Sequence, residues 1–377
     1  MVDALQLACA LIAAPSVTPA SGKVFDVLEA ALTPLGFTVE RAWDGAPPHG
    51  PVENLLALRG QNGPLFAFAG HLDVVPPGEG WHDNAFEPRI ANGLLYGRGA
   101  TDMKGAIAAF VGAAARQPRD RRLMLIITGD EEGVALHGTR ALIERMEAMG
   151  VAPDLCVVGE PTSARRLGDT VKIGRRGSLN AQITIEGAQG HVAYPQLARN
   201  PIPSLLRILA ALTARKFDDA TDWFERSNLE VTSIDVGNPA TNVIPAKATA
   251  RVSIRFNDQQ RGDDLEAWLE QVTASEEGAT IETRVSGEAF LTPPGQVSRM
   301  VSEAVTEVTG IVPALSTTGG TSDARFLSKL CPVVEFGPPN ATMHKVDEAI
   351  ALADLASLEK VYEAILDRVF SGAPVPA

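Results

Sequence analysis

Seven residues of this chain have the types and spacing to do chemistry. His71 and Asp73 follow the apolar run Leu65-Phe66-Ala67-Phe68-Ala69 and its closing Gly70. Asp102 lies in Gly99-Ala100-Thr101-Asp102-Met103-Lys104-Gly105. Glu131 and Glu132 come after the run 123–128 and Gly129-Asp130, and Glu160 after the run 155–158 and Gly159. His344 stands in Met343-His344-Lys345. Singly, each has an ordinary explanation. Asp102 could cap a helix, Glu131 and Glu132 could occupy a helix's first turn, Glu160 could be a turn residue and His344 a loop histidine. Together, at consecutive strand ends, they read as one site. Five carboxylates crowded into a folded core repel one another and cannot all ionise; a divalent cation, or two, resolves the conflict. Imidazole and carboxylate donors suit zinc, with cobalt or manganese as substitutes, and the lack of thiolates points to a catalytic rather than a structural site. Two metals about 3.5–4 Å apart need a shared ligand, usually a carboxylate.

Such convergence requires particular elements. Short runs that are apolar on both faces are strands buried on two sides. Joined by helices, they form parallel βαβ units whose carboxyl ends lie side by side, where open α/β sheets bind their ligands. The pattern predicts helices over about 3–13, 22–35, 104–115, 137–149, 296–309 and 352–369, and further strands over 37–41, 54–58 and 333–336. Past Arg176 it changes. Leu179, Ala181, Ile183 and Ile185 alternate with polar residues, and 246–256 puts Lys247, Thr249, Arg251, Ser253 and Arg255 on one face. Looser alternation covers 229–236 and 279–286, with helical stretches at 201–215 and 262–274. Strand, helix, strand, strand, helix, strand is the order of a ferredoxin-like layer pair. The expectation is an α/β fold in two domains. Residues 1–176 and 290–377 form a catalytic domain with a mixed, largely parallel sheet and helices on both faces; 177–289 form an inserted two-layer α+β domain.

Composition narrows the function classes. The 377 residues are 45% hydrophobic and 21% charged, as in an ordinary globular protein. A net charge of −13 argues against nucleic acid as a partner. Cys9, Cys156 and Cys331 are too few and scattered for a disulfide framework, which points to free thiols in a reducing, cytoplasmic setting. The first segment has no Lys or Arg before Lys23 and stops at Pro15, so it reads as an amphipathic helix, neither a signal peptide nor a membrane span. An acidic chain repels an anionic substrate unless local basicity overrides it. Arg165, Arg166, Lys172, Arg175 and Arg176, with Asp169 as the nearby counter-charge, supply that basicity.

The motifs resemble the dinuclear zinc amidohydrolases of the M20 metallopeptidase family. The resemblance rests on the segments that carry the seven residues, and on Gly174-Arg175-Arg176-Gly177-Ser178, Gly190-His191-Val192-Ala193-Tyr194-Pro195, Asn242-Val243-Ile244-Pro245, Gly320-Thr321-Ser322-Asp323 and Glu335-Phe336-Gly337-Pro338, in order along almost the whole chain. It implies two zinc ions per subunit. His71 and Glu160 would hold one, Glu132 and His344 the other, and Asp102 would bridge. Asp73 would orient His71, and Glu131, beside a ligand but not itself one, would be the general base. Lys172, Arg175, Ser178, Asn242, Arg255, Gly320 and Thr321 would bind substrate carboxylates. His191 would reach a partner subunit's site and stabilise the oxyanion, so the inserted domain would serve as lid and homodimer interface. His49, His82 and His137 have no such context and read as surface or loop residues.

The chain departs from the family pattern at Leu72, Thr318, Ala324 and Asp347. None is a ligand or the base; Thr318 and Ala324 bear on substrate specificity. The expected reaction is hydrolysis of the amide bond of a small anionic acyl-amino acid. The rivals are an M20 deacylase of another acyl preference, and a non-catalytic binding protein on the same fold. The second predicts a missing ligand or base, and none is missing.

Overall fold

The computed structural model describes residues 2–371. The chain divides into two compact units: Met1–Ile173 with Thr292–Ser316 and Ser322–Ala377, and Gly174–Leu291 with Thr317–Thr321.

The first unit is built on an eight-stranded sheet. Its order is Thr38–Asp44, Val52–Arg59, Arg121–Thr128, Asn62–His71, Leu155–Val158, Val333–Glu335, Thr170–Lys172, Ala314–Ser316. The four central strands, from Arg121–Thr128 to Val333–Glu335, run parallel, and the first two strands are antiparallel additions at one edge. The central strands are apolar on both faces because helices cover both. Helix Lys104–Arg116 is almost wholly buried, which its run of alanines and glycines permits by keeping its surface flat. Helices Ala4–Ile12 and Leu352–Phe370 pack against it. Phe68 stacks on Phe110 at 4.2 Å between ring centroids, and Tyr362 meets Phe68 edge-on at 5.4 Å. Each such buried ring contributes about 1.5–3 kcal/mol by leaving water.

The glycines that end the strands answer to close packing. A Cβ on Gly129 would lie 2.6 Å from the Ala20 carbonyl oxygen and 2.8 Å from that of Glu53; one on Gly159 would lie 2.5 Å from the Phe68 ring. Backbone and a packed ring cannot yield that space, so the chain can turn there only with no side chain.

The second unit has a four-stranded antiparallel sheet ordered Asn228–Asp235, Lys247–Phe256, Gly177–Glu186, Ala279–Gly287. In chain order this is 2-3-1-4, the ferredoxin-like arrangement expected. Leu179, Ile183, Ile185, Val252 and Ile254 are buried under helices Pro201–Thr213 and Gly262–Thr273, while Arg251 and Glu282 on the other face stay exposed. Among the described residues no helix is long and apolar enough to cross a membrane. All three cysteines are free, with Cys156 and Cys331 buried.

Candidate metal centre

Strand register brings the reactive groups level. Ala69 is paired with Val158 and His71 with Thr128. Two residues on from the first pair, His71 and Glu160 therefore stand at the same height, and Glu131 and Glu132 follow the neighbouring strand by a short turn. Asp102 comes from the loop ahead of helix Lys104–Arg116. Met103, not Asp102, is that helix's N-cap, with no side-chain capping bond, so the Asp102 carboxylate is left for the site. Helix Thr139–Ala148 starts well beyond Glu131 and Glu132, which removes the first-turn explanation for those acids.

All seven residues meet in the first unit. His71 Nδ1 donates to the Asp73 backbone carbonyl at 2.9 Å, leaving Nε2 as an acceptor. That nitrogen lies 3.2 Å from Asp102 Oδ1 and 3.8 Å from Glu160 Oε1. Across the same carboxylate, Asp102 Oδ2 is 3.2 Å from His344 Nε2, which is also 2.7 Å from Glu132 Oε1. The two oxygens of Asp102 thus face two different imidazoles. Tetrahedral ligands at about 2.0–2.1 Å from zinc lie about 3.3 Å from one another. Donors of His71, Asp102 and Glu132, and those of His71, Glu131 and Glu160, each fall within 4.8 Å of one another. The donor set fits dications: acceptor faces acceptor at these distances, which only a proton or a metal ion between them relieves.

Two placements differ from the sequence expectation. The contact that orients His71 is the Asp73 backbone carbonyl; the Asp73 carboxylate sits 3.6 Å from the ring. That carboxylate instead accepts the backbone N–H of Glu131 at 3.2 Å and of Glu132 at 2.9 Å, fixing the acidic turn. Glu131, expected beside a ligand but not as one, has a carboxylate oxygen within 4.8 Å of donor atoms of both His71 and Glu160.

The charges respond to burial and to each other. Burial pulls the His71 imidazole down, but the Asp102, Asp73 and Glu131 carboxylates together hold it well above its ordinary value. His344 is raised to about 10, first by its contact with Asp102 and then by Glu132. Burial lifts Asp73 to about 6 against the pull of His71. Glu131 is raised well above the carboxylate range, by burial and then by the charge of Glu160. His344 has φ of 61°, a left-handed backbone that costs a non-glycine residue roughly 1–3 kcal/mol and tends to cluster at functional sites.

Sequence reasoning missed several supports. Glu348, fully buried, accepts the backbone N–H of Asp102 at 3.0 Å. Lys104, also buried, donates to the Leu11 carbonyl at 2.9 Å and to that of Ala14 at 3.2 Å, and burial lowers its pKa to about 7. His82 pairs with Asp347 and His137 with Asp44, so both have partners that sequence did not show. A histidine three residues from any of these acids would have been a signal; these lie far apart in the chain.

The expected substrate residues fall into small groups. Lys172, in the first unit, donates to Ser316 Oγ at 3.0 Å. In the second unit, Arg175 donates to the Gly320 carbonyl at 3.0 Å, with Thr321 next in the chain. Arg255 sits opposite Ser178 in the register and donates to its hydroxyl. His191 pairs with Val243 in a short ribbon and Val192 N–H donates to the Asn242 carbonyl, leaving His191 and Asn242 exposed. The Asp169 carboxylate is engaged by the backbone. It accepts the backbone N–H groups of Ala164, Arg165 and Arg166 and shapes their turn.

Residues 67–368 match the model of peptidase family M20/M25/M40. A succinyl-diaminopimelate desuccinylase of Sphingopyxis alaskensis is 64% identical over 372 residues, covering 98% of this chain and 99% of the relative. Another of that name from Rhizorhabdus wittichii is 60% identical over 373 residues, with coverage of 98% and 99%. Among solved structures, an M20 family metallo-carboxypeptidase from Sulfolobus solfataricus superposes with a TM-score of 0.81 at 17% identity, covering 98% of this chain and 99% of its own. A dinuclear metal-binding M20 peptidase from Bacillus subtilis gives 0.69 at 16% identity, with 97% of each chain covered.

Proposed function

The chain belongs to peptidase family M20/M25/M40, and from that premise we propose that it is a succinyl-diaminopimelate desuccinylase. It hydrolyses N-succinyl-LL-2,6-diaminopimelate to succinate and LL-2,6-diaminopimelate, in the route to diaminopimelate and lysine. Relatives bearing that name match over nearly the full length of both chains. The observation that carries the metal chemistry is Asp102, whose two oxygens each lie 3.2 Å from a different imidazole.

In this reading His71, Asp102 and Glu160 hold one Zn²⁺ and Asp102, Glu132 and His344 a second, with Co²⁺ or Mn²⁺ as substitutes. When bound, the ions supply Lewis-acid polarisation of the amide carbonyl and acidify water. The chain's own residues do the rest. Asp73 anchors the backbone of Glu131 and Glu132 so that both carboxylates face inward. Glu131 takes a proton from the attacking water on a carboxylate oxygen and later gives it to the leaving amine nitrogen. Its carboxylate, beside Glu160 and His71, is placed to hold that proton between the two events.

Lys172, Arg175, Ser178, Asn242, Arg255, Gly320 and Thr321 bind the substrate's carboxylates, for which arginine's planar fork is suited. His191 stabilises the oxyanion in the site of a partner subunit, which makes a homodimer the active form and the second unit its lid and interface. Val192, Tyr194, Leu197, Leu206 and Ile234, exposed large apolar residues of that unit, support such an interface. Three free cysteines suit a reducing cytoplasm.

The test is metal quantification on purified protein together with an assay on succinylated and acetylated substrates. Two zinc ions per chain and a preference for succinyl-diaminopimelate are expected, with activity lost to a chelator and restored by zinc. Faster turnover of acetylornithine or another acetylated amino acid would assign it instead to an acetylornithine deacetylase or aminoacylase.

A further inference from the structure

Two of the proposed ligands, Asp102 and His344, unlike Glu132 and Glu160, do not come shortly after a strand of the eight-stranded sheet, so something else must fix their spacing. Glu348, four residues after His344 and 0% exposed, reaches across to the other loop. Its Oε1 accepts the backbone N–H of Thr101 at 2.8 Å and of Asp102 at 3.0 Å. Its Oε2 accepts the N–H of Gly99 at 3.1 Å and Nη1 of Arg98 at 2.8 Å. Arg98, 2% exposed, also donates to the carbonyls of Lys345 and Pro77, each at 3.2 Å. The backbone repeats the crossing. Gly97 N–H donates to the Glu348 carbonyl at 2.9 Å, and the hydroxyls of Thr101 and Thr342 both donate to the Ala349 carbonyl, at 2.9 and 2.8 Å.

A buried carboxylate survives only when its lone pairs are filled and its charge is met, and here four donors, one of them a guanidinium, do both. Three of the four belong to the backbone of the Asp102 loop, while the acid itself is carried by the His344 loop. His71 and Glu160, by contrast, take their positions from paired strands and do not touch this crossing.

We propose that Glu348 is a positioning residue that sets the separation of Asp102 from His344. It thereby sets the affinity of the Asp102–Glu132–His344 site for its dication, with a smaller effect on the His71–Asp102–Glu160 site, which shares Asp102 but not His344. The inference rests on the two-dication reading above.

Calorimetric zinc titration of metal-stripped wild type, Glu348→Gln and Glu348→Asp tests it, with circular dichroism to verify folding and the visible spectrum of the cobalt-loaded proteins as a second readout. Glu348→Gln is expected to weaken one of two binding events by about 10–100-fold, the range for lost support of a ligand, and to leave the other within about threefold. Its cobalt spectrum should change chiefly in the weakened site. Glu348→Asp keeps the charge but withdraws it by one methylene, and should fall between; it carries the test if Glu348→Gln does not fold. Folded variants that bind both ions with wild-type affinity, or that lose both equally, overturn the inference. A wild type that binds fewer than two ions overturns the two-dication reading instead.

Discussion

The strand ends of the first unit and the polar surface of the second handle charge in opposite ways. His71 is 1% exposed, Asp73 0% and Asp102 5%, and their partners are one another. His191 and Asn242 lie open, and Arg255 is held by Ser178 on the polar side of its sheet. Low-dielectric surroundings amplify electrostatic effects, which is what activating water and a carbonyl requires. Groups that must meet a diffusing substrate, or a second chain, have to remain accessible. All seven residues of the first region come from one unit; in the proposed reading the second meets substrate or a second chain.

That contrast can be broken most severely at Glu131. Glu131→Gln keeps the size of the side chain but removes its basicity, and should cut turnover by about 1,000-fold, within the range for a lost general base. Zinc content measured on the same sample should be unchanged. Near-normal turnover would deprive the buried region of its special role. On the accessible side, His191→Ala should lower kcat by about 100-fold, the scale of a lost oxyanion donor. Mixing this variant with Glu131→Gln after subunit exchange sharpens the point. If His191 serves the partner's site, about a quarter of the wild-type rate returns, since one site of each mixed dimer is intact. No recovery means that it serves its own.

Arg255→Ala should raise KM by about 10–100-fold, as expected for losing a hydrogen bond to a charged group, with kcat little altered. A fall in kcat with unchanged KM would move Arg255 to the reacting side. The mildest test is pH. His344 carries a proton up to about 10 because Asp102 and Glu132 hold it there, and a metal ion must displace that proton. Zinc affinity should therefore rise with pH by up to about tenfold per unit and level off above that value. Calorimetry in buffers of different ionisation enthalpy reads the proton released; none released would mean that His344 is not a ligand.

Much of the first region was legible in sequence because the same physics wrote it several times. A two-faced apolar run, a glycine under a packed neighbour and then an acid or imidazole recur at His71, Glu131 and Glu160. Alternation at 179–185 and 246–256 likewise announced the second unit's half-covered sheet. The hidden parts lack a pattern long enough to register. Thr170–Lys172 and Ala314–Ser316 are strands of three residues paired in parallel, too short to show a period. Glu348 looks like any acid beside Asp347, since three of its four partners are backbone N–H groups that no residue letter reveals. The same holds for Asp73, whose carboxylate serves the backbone of Glu131 and Glu132.

Helix Lys104–Arg116 has a consequence for tolerance to change. Its residues from Lys104 to Ala114 are all buried. A methyl group on Gly105 would lie 2.4 Å from the Ala100 carbonyl oxygen, a backbone atom that cannot swing aside. Saturation mutagenesis will find almost no permissive position along this segment, although it holds no reacting atom. Intolerance there would record the volume available to a side chain, so a survey of inviable variants would mark this rod as strongly as the chemistry beside it.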